Sequence, residues 1–211
     1  MRKFLLSTAL LGAMFCGSVA QSATILTLQN PGSVSYQQTA SKPCIIGSPS
    51  CVNGSLSYTQ IGANLANYTL SSPNYTVGQI RNIVGNSFMV GIDVNTTTQP
   101  LATEKLDLFT LTVNGVVQFI YDPLSPGTQM FTVNNGIGFS DQLLSGFNLS
   151  SFAVNDILRF WTSVNNATDG RESFFLVSAT SAPEPASLAI LGMGLASLGL
   201  LRRGRCKAKH T

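Results

Sequence analysis

Histidine is almost missing from this 211-residue chain: the single one, His210, is the penultimate residue. Residues 21–182 therefore offer no imidazole for a Ser-His-Asp or Cys-His relay, nor for a histidine-bearing metal site. They also lack a GxSxG elbow, a GxxxxGK(S/T) phosphate loop and a GxGxxG dinucleotide fingerprint. No segment recurs at a fixed period, which argues against a solenoid or propeller. Charge is scarce as well, at 10% Asp, Glu, Lys and Arg. The formal net charge of +3 is misleading, because of twelve Lys and Arg residues only Lys42, Arg81, Lys105, Arg159 and Arg171 fall within residues 21–182. Eight acids share that span and leave it at −3, so the basicity resides in the two ends and is no sign of nucleic-acid binding.

Residues 21–182 have the size of one domain, enough to bury a single core. Their only cysteines are Cys44 and Cys51, separated by six residues. In an oxidising compartment the expectation is a local disulfide closing a small loop, worth about 2–3 kcal/mol of loop entropy. Two thiols without a histidine do not make a zinc site.

Strand signals dominate this span. Residues 105–113 and 116–121 are apolar and β-branched runs flanking Asn114-Gly115, the pair a type I′ hairpin turn favours. Period-two spacing puts Phe109, Leu111 and Val113 on the core side. Further strands are expected over 87–94, with a kink at Gly91, and over 128–133, 157–164 and 173–179. Residues 134–136 and 165–170 read as turns, and 141–146 as a short helical turn. The segment 35–75 has few apolar runs and is expected to supply an edge strand or two among loops. The fold class is all-β, a jelly-roll-like β-sandwich.

Three features raise the question of chemistry. Asp156, Asp169 and Glu172 are near in sequence, and a carboxylate pair can cleave glycosides, yet scattered acids in a β domain are mostly surface or turn residues. Asn165, Asp169 and Glu172 could offer hard oxygen ligands to calcium. The plainer reading is a turn with Gly170 at positive φ and Arg171 or Glu172 pairing across it, because the loop lacks the dense acids of a calcium motif. Trp161, the only tryptophan, alternates with Phe160. Either one faces the core while the other forms a platform, for instance for a sugar ring, or both pack in a sheet covered on both sides. Core packing for both is the expectation.

The ends are more explicit. Arg2 and Lys3, an apolar stretch over 4–15 and the small residues Ser18-Val19-Ala20 read as a signal peptide, a signal helix cleaved between Ala20 and Gln21. At the other end come Pro183-Glu184-Pro185, then sixteen uncharged residues over 186–201, then a tail with Arg202, Arg203 and Arg205. Sixteen helical residues span roughly 24 Å, which can cross a bilayer with thinning or snorkelling, and the cations hold the tail on the cytoplasmic side.

Residues 182–209 resemble the PEP-CTERM sorting signal, also described as an ice-binding protein C-terminal domain. The resemblance implies that an exosortase-type enzyme reads Pro183, Glu184 and Pro185, that Arg202, Arg203 and Arg205 act as a basic stop signal, and that the body is released or transferred to the envelope or matrix. The domain plan is thus a signal peptide over 1–20, a β-sandwich over 21–182, and a sorting signal over 183–209 with its transmembrane helix over 186–201. The expected role is structural or adhesive, with exopolysaccharide as the candidate contact and no catalytic residue, cofactor or metal. The alternatives are a calcium-assisted carbohydrate-binding module and, behind it, a secreted hydrolase.

Overall fold

A computed structural model describes residues 22–31, 36–62, 66–95, 103–124, 127–130, 138–167 and 170–179. The expected signal helix, its cleavage site at Ala20 and Gln21, residues 183–185 and the apolar segment 186–201 with its basic tail lie outside them. Among the described residues no helix is long and apolar enough to cross a membrane.

The elements are β1 (Thr24–Ile25), β2 (Thr27–Gln29), β3 (Cys44–Gly47), β4 (Thr59–Gln60), β5 (Tyr68–Ser71), β6 (Tyr75–Thr76), α1 (Val77–Val84) and β7 (Ser87–Asp93). They continue with β8 (Lys105–Val113), β9 (Val116–Tyr121), β10 (Thr128–Gln129), β11 (Gln142–Asn148), β12 (Ile157–Asn165) and β13 (Ser173–Ser178). The protein is all-β in class, as its sequence implies. One sheet runs β1-β9-β8-β12-β5, with β10 also on β8 and β6 also on β12; the other runs β2-β11-β7-β13-β3-β4. The chain passes from one sheet to the other at Leu26, a buried residue between β1 and β2.

Six phenylalanines join the sheets. Phe109, Phe119 and Phe160 point inward from the first sheet, and Phe88, Phe147 and Phe174 from the second, all buried. Phe88 stacks on Phe147 at 4.7 Å between centroids, Phe109 on Phe174 at 5.8 Å, and Phe119 meets Phe147 at 5.6 Å. Offset and tilted ring pairs of this kind add about 0.5–1.5 kcal/mol each beyond the area they bury.

The hairpin forms as its sequence dictates. Asn114 and Gly115 both have positive φ, 49° and 80°, and Phe109, Leu111 and Val113 are buried. Gly91 corrects an expectation: β7 pairs without a break through it on both sides. Its lack of a side chain makes room, since a Cβ there would lie 2.7 Å from the Phe175 ring. Residues 141–146 are not a helical turn. Leu143, Leu144 and Phe147 are buried in strand β11, which is hydrogen-bonded on both sides and bulges beside Gly146. The helix lies instead at Val77–Val84, where Thr76 and Gln79 form a capping box, Val77, Ile80 and Val84 turn inward, and Gly85 ends it.

The second sheet is covered on its outer side. There Cys44, Phe175 and Val177 are buried beneath Tyr36, Cys51, Tyr58 and Met89, with the Cys44–Cys51 disulfide pinning the covering loop. On the outer side of the first sheet Ile25, Val117, Ile157 and Trp161 are exposed among the described residues.

Candidate functional site

Trp161 sits on the outer face of the first sheet. Alternation along β12 sends Leu158, Phe160, Thr162 and Val164 into the core and Ile157, Arg159 and Trp161 outward. Phe160 is fully buried, whereas Trp161 keeps 36% of its surface exposed. Packing of both in the core therefore fails, because Trp161 lies on the outer face of this sheet and keeps part of its ring exposed.

Strand register arranges the neighbours of Trp161. Ile25, Ile120, Thr110, Trp161 and Ser71 are successive partners in one row across five strands. Arg159 is partnered by Thr112, and Ser163 by Leu108 and Thr69. The Arg159 guanidinium lies 4.8 Å from the centroid of the Trp161 ring. It is held there by Nη2 donating to Ser71 Oγ at 2.6 Å and Nε donating to the Ser72 carbonyl at 3.3 Å. Thr69 Oγ1 donates to Ser163 Oγ at 3.2 Å, and Thr112 Oγ1 to the Arg159 carbonyl at 3.2 Å. The result is an aromatic ring and a stacked cation set among short hydroxyl side chains. Such a surface can offer an apolar face, a positive charge and several hydrogen bonds to one ligand.

A second cluster is buried where β12 ends and β13 begins. Glu104 and Glu172 are both fully buried, and Tyr68 donates its hydroxyl to Glu172 Oε2 at 2.5 Å. Besides Tyr68, the groups bonded to the Glu172 carboxyl among the described residues are its own backbone amide and the Glu104 side chain. Two buried carboxyls held together favour one shared proton over two charges. Burial raises the Glu172 carboxyl above its ordinary value, opposed by the bonds from Tyr68, from its own backbone amide and from Glu104. Burial and then the Glu172 charge push the Tyr68 phenol upward in turn. Asp93 is pushed up to about 7, first by burial and further by the charges of Asp141 and Glu172, against the Gly138 amide that donates to its Oδ2 at 3.0 Å. Asp93 borders a groove of about 170 Å³ shared with Gln38, Cys51, Gly138 and Ser173.

The residues singled out for chemistry are not brought together. Asp156 is half-buried just before β12, where it accepts from Asn114 Nδ2 and the Ala153 amide, bonds that hold its carboxyl below the usual range. Glu172 lies beside Tyr68, which pairs with Val164 near the other end of the strand. Seven residues of strand separate these ends by roughly 23 Å, beyond the roughly 5–9.5 Å between glycosidase carboxylates. Asp169 lies outside the described residues. The turn that precedes Glu172 differs from the expected one. Asn166 takes the positive φ, and Gly170 is required for space, since a Cβ there would collide with the Asn95 side chain. Arg171 donates to the Gly62 carbonyl, and Glu172 is internal, so neither pairs across a surface hairpin. Among the described residues no three His, Cys, Asp or Glu side chains are grouped to hold a metal ion. Glu104 and Tyr68 were not legible as a site, because their meeting with Glu172 spans 68 and 104 residues of sequence respectively. The inward and outward assignment of β12 was half legible, since alternation separates Phe160 from Trp161 without saying which side is open.

Comparison with known proteins places one landmark. Residues 181–205 match the family model described as the PEP-CTERM protein-sorting motif. No curated protein and no solved structure matches the chain. The motif implies an exported protein that is processed by an exosortase-type enzyme.

Proposed function

We propose that this protein has a structural or adhesive role in the bacterial envelope or extracellular matrix, with a non-catalytic body that contacts polysaccharide. The match at residues 181–205 carries the reading, since it sets the compartment in which the body works. The body is read as a jelly-roll-like sandwich, an architecture whose sheet faces and end loops serve as ligand surfaces. Support for a binding role over a hydrolytic one comes from the separation of Asp156 from Glu172 and from the open face around Trp161.

In this reading the precursor is held by residues 186–201, its arginines remain on the cytoplasmic side, and cleavage near Pro183-Glu184-Pro185 frees the body. The test is the intact mass and location of the protein in its native host, with and without those three residues changed to alanine. A species that begins at Gln21, ends near Pro183 and disappears in the variant supports the reading. A species that retains Arg202, Arg203 and Arg205 in both cases would reduce the C-terminus to a plain anchor.

A further inference from the structure

We propose that the face around Trp161 and Arg159 is a binding site for an anionic polysaccharide, a chain of pyranose units that bear carboxylates. This assignment rests on the reading of the body as a polysaccharide-contact domain and names the site and ligand class within it.

The argument begins with what the fold leaves uncovered. A tryptophan in mid-strand normally spends its large apolar surface on the core, yet Trp161 stands outward on β12, one strand in from the β5 edge of its sheet. Most flanking residues are short. Thr69, Ser71, Thr110, Thr112 and Ser163 surround the indole with small hydroxyl side chains, and Leu108 is the larger neighbour on one diagonal, so a flat ring can approach from the hydroxyl side. A pyranose has the matching shape, with an apolar C–H face and hydroxyls around its edge.

The charge selects among such polymers. Arg159 is the cation of this patch and is pre-positioned by Ser71, Ser72 and the indole, so little side-chain freedom is lost when it binds. Two of its nitrogens are engaged by neutral oxygens, and no carboxylate pairs with it among the described residues. A planar cation with donors to spare beside an aromatic ring suits a carboxylate carried on the sugar. The formal −3 of residues 21–182 opposes a polyanion at long range. The attraction must therefore be local, and screening over about 8 Å at physiological salt makes it sensitive to ionic strength.

The experiment uses the full chain in detergent micelles, with polygalacturonate as probe and dextran as its uncharged counterpart. Trp161 is the only tryptophan, so its fluorescence reports on this face alone. Polygalacturonate is expected to change that emission and to retard the protein in affinity electrophoresis, with an effect that fades as salt rises to 0.5 M. Arg159→Gln is expected to weaken retardation about tenfold, the scale of one charge-assisted hydrogen bond. Trp161→Ala is expected to weaken it at least as much, while Val52→Ser, on the exposed loop near the other sheet, leaves it unchanged. Unchanged thermal midpoints in the variants separate lost binding from lost folding. Equal binding of dextran, or salt-independent binding, would overturn the anionic assignment. Retardation indifferent to both Arg159 and Trp161 would overturn the site while leaving polysaccharide contact intact. A dimer that Trp161→Ala dissociates would assign the face to a second copy of the chain. Failure to bind polygalacturonate, dextran and the host's own exopolymer would overturn the contact reading itself, independently of the sorting test.

Discussion

Tyr68→Phe isolates one hydrogen bond in the buried acid cluster. The ring stays, so the packing of Tyr68 within the core is kept, and only the hydroxyl that donates to Glu172 Oε2 at 2.5 Å is lost. Glu172 is fully buried, so the variant leaves its carboxyl with only the bonds from its own backbone amide and from Glu104. A buried acceptor deprived of its donor costs about 1–3 kcal/mol, which for a body of this size lowers the midpoint by roughly 2–4 °C per kcal/mol. The cost depends on pH with a defined sign. Burial raises the Glu172 carboxyl above its unfolded value of 4.5. The stability tied to its neutral form is thus fully present below 4.5 and is lost as pH rises through the folded value. Tyr68 opposes that rise by favouring the charged form, so its removal moves the folded value higher still and steepens the loss. Urea unfolding followed by Trp161 emission, at pH 4 and pH 8, is the assay. A larger penalty at pH 8 is expected. An equal penalty at both pH values, or a larger one at pH 4, would refute the coupling of this bond to the charge of Glu172.

The other predictions test separate parts of the fold. Asp93, pushed up to about 7 mainly by burial, contributes stability that is fully present below 3.8 and lost as pH rises toward 7. Asp93→Asn should flatten the pH dependence of the thermal midpoint over that window, and an unchanged profile would rule out this origin. Gly91→Ala would drive a Cβ to 2.7 Å from the buried Phe175 ring, with an expected loss of about 1–3 kcal/mol in urea unfolding. Thr162 buries its Oγ1 in the core with no hydrogen-bond partner among the described residues, so Thr162→Val should raise stability by about 1 kcal/mol; a destabilised variant would point to a partner outside them. Reduction of Cys44–Cys51 should lower stability by about 2–3 kcal/mol, and amide exchange should quicken first in residues 48–58, which lie over the second sheet.

Much of this molecule is determined by short-range sequence. Asn114-Gly115 between two alternating runs specifies a hairpin because both residues accept the positive φ of its turn. Cys44 and Cys51 are too near in the chain to need a fold to introduce them, and they are bonded. Pro183-Glu184-Pro185, the uncharged run and the arginines form a local signal that matches the sorting motif at residues 181–205 without reference to the body. Even α1, which no expectation covered, was announced by Thr76, Gln79 and Gly85, a capping box and a stop. Tertiary structure decided what depends on distant partners. Residues 141–146 became a strand because β2 and β7 lie on either side to bond them. Tyr68, Glu104 and Glu172 share one buried site only because the sheets close over them. Alternation along β12 separates Phe160 from Trp161, but a period of two is symmetric between the faces. Among the described residues the covering loop lies over the second sheet, and on the outer face of the first Trp161 is left partly exposed.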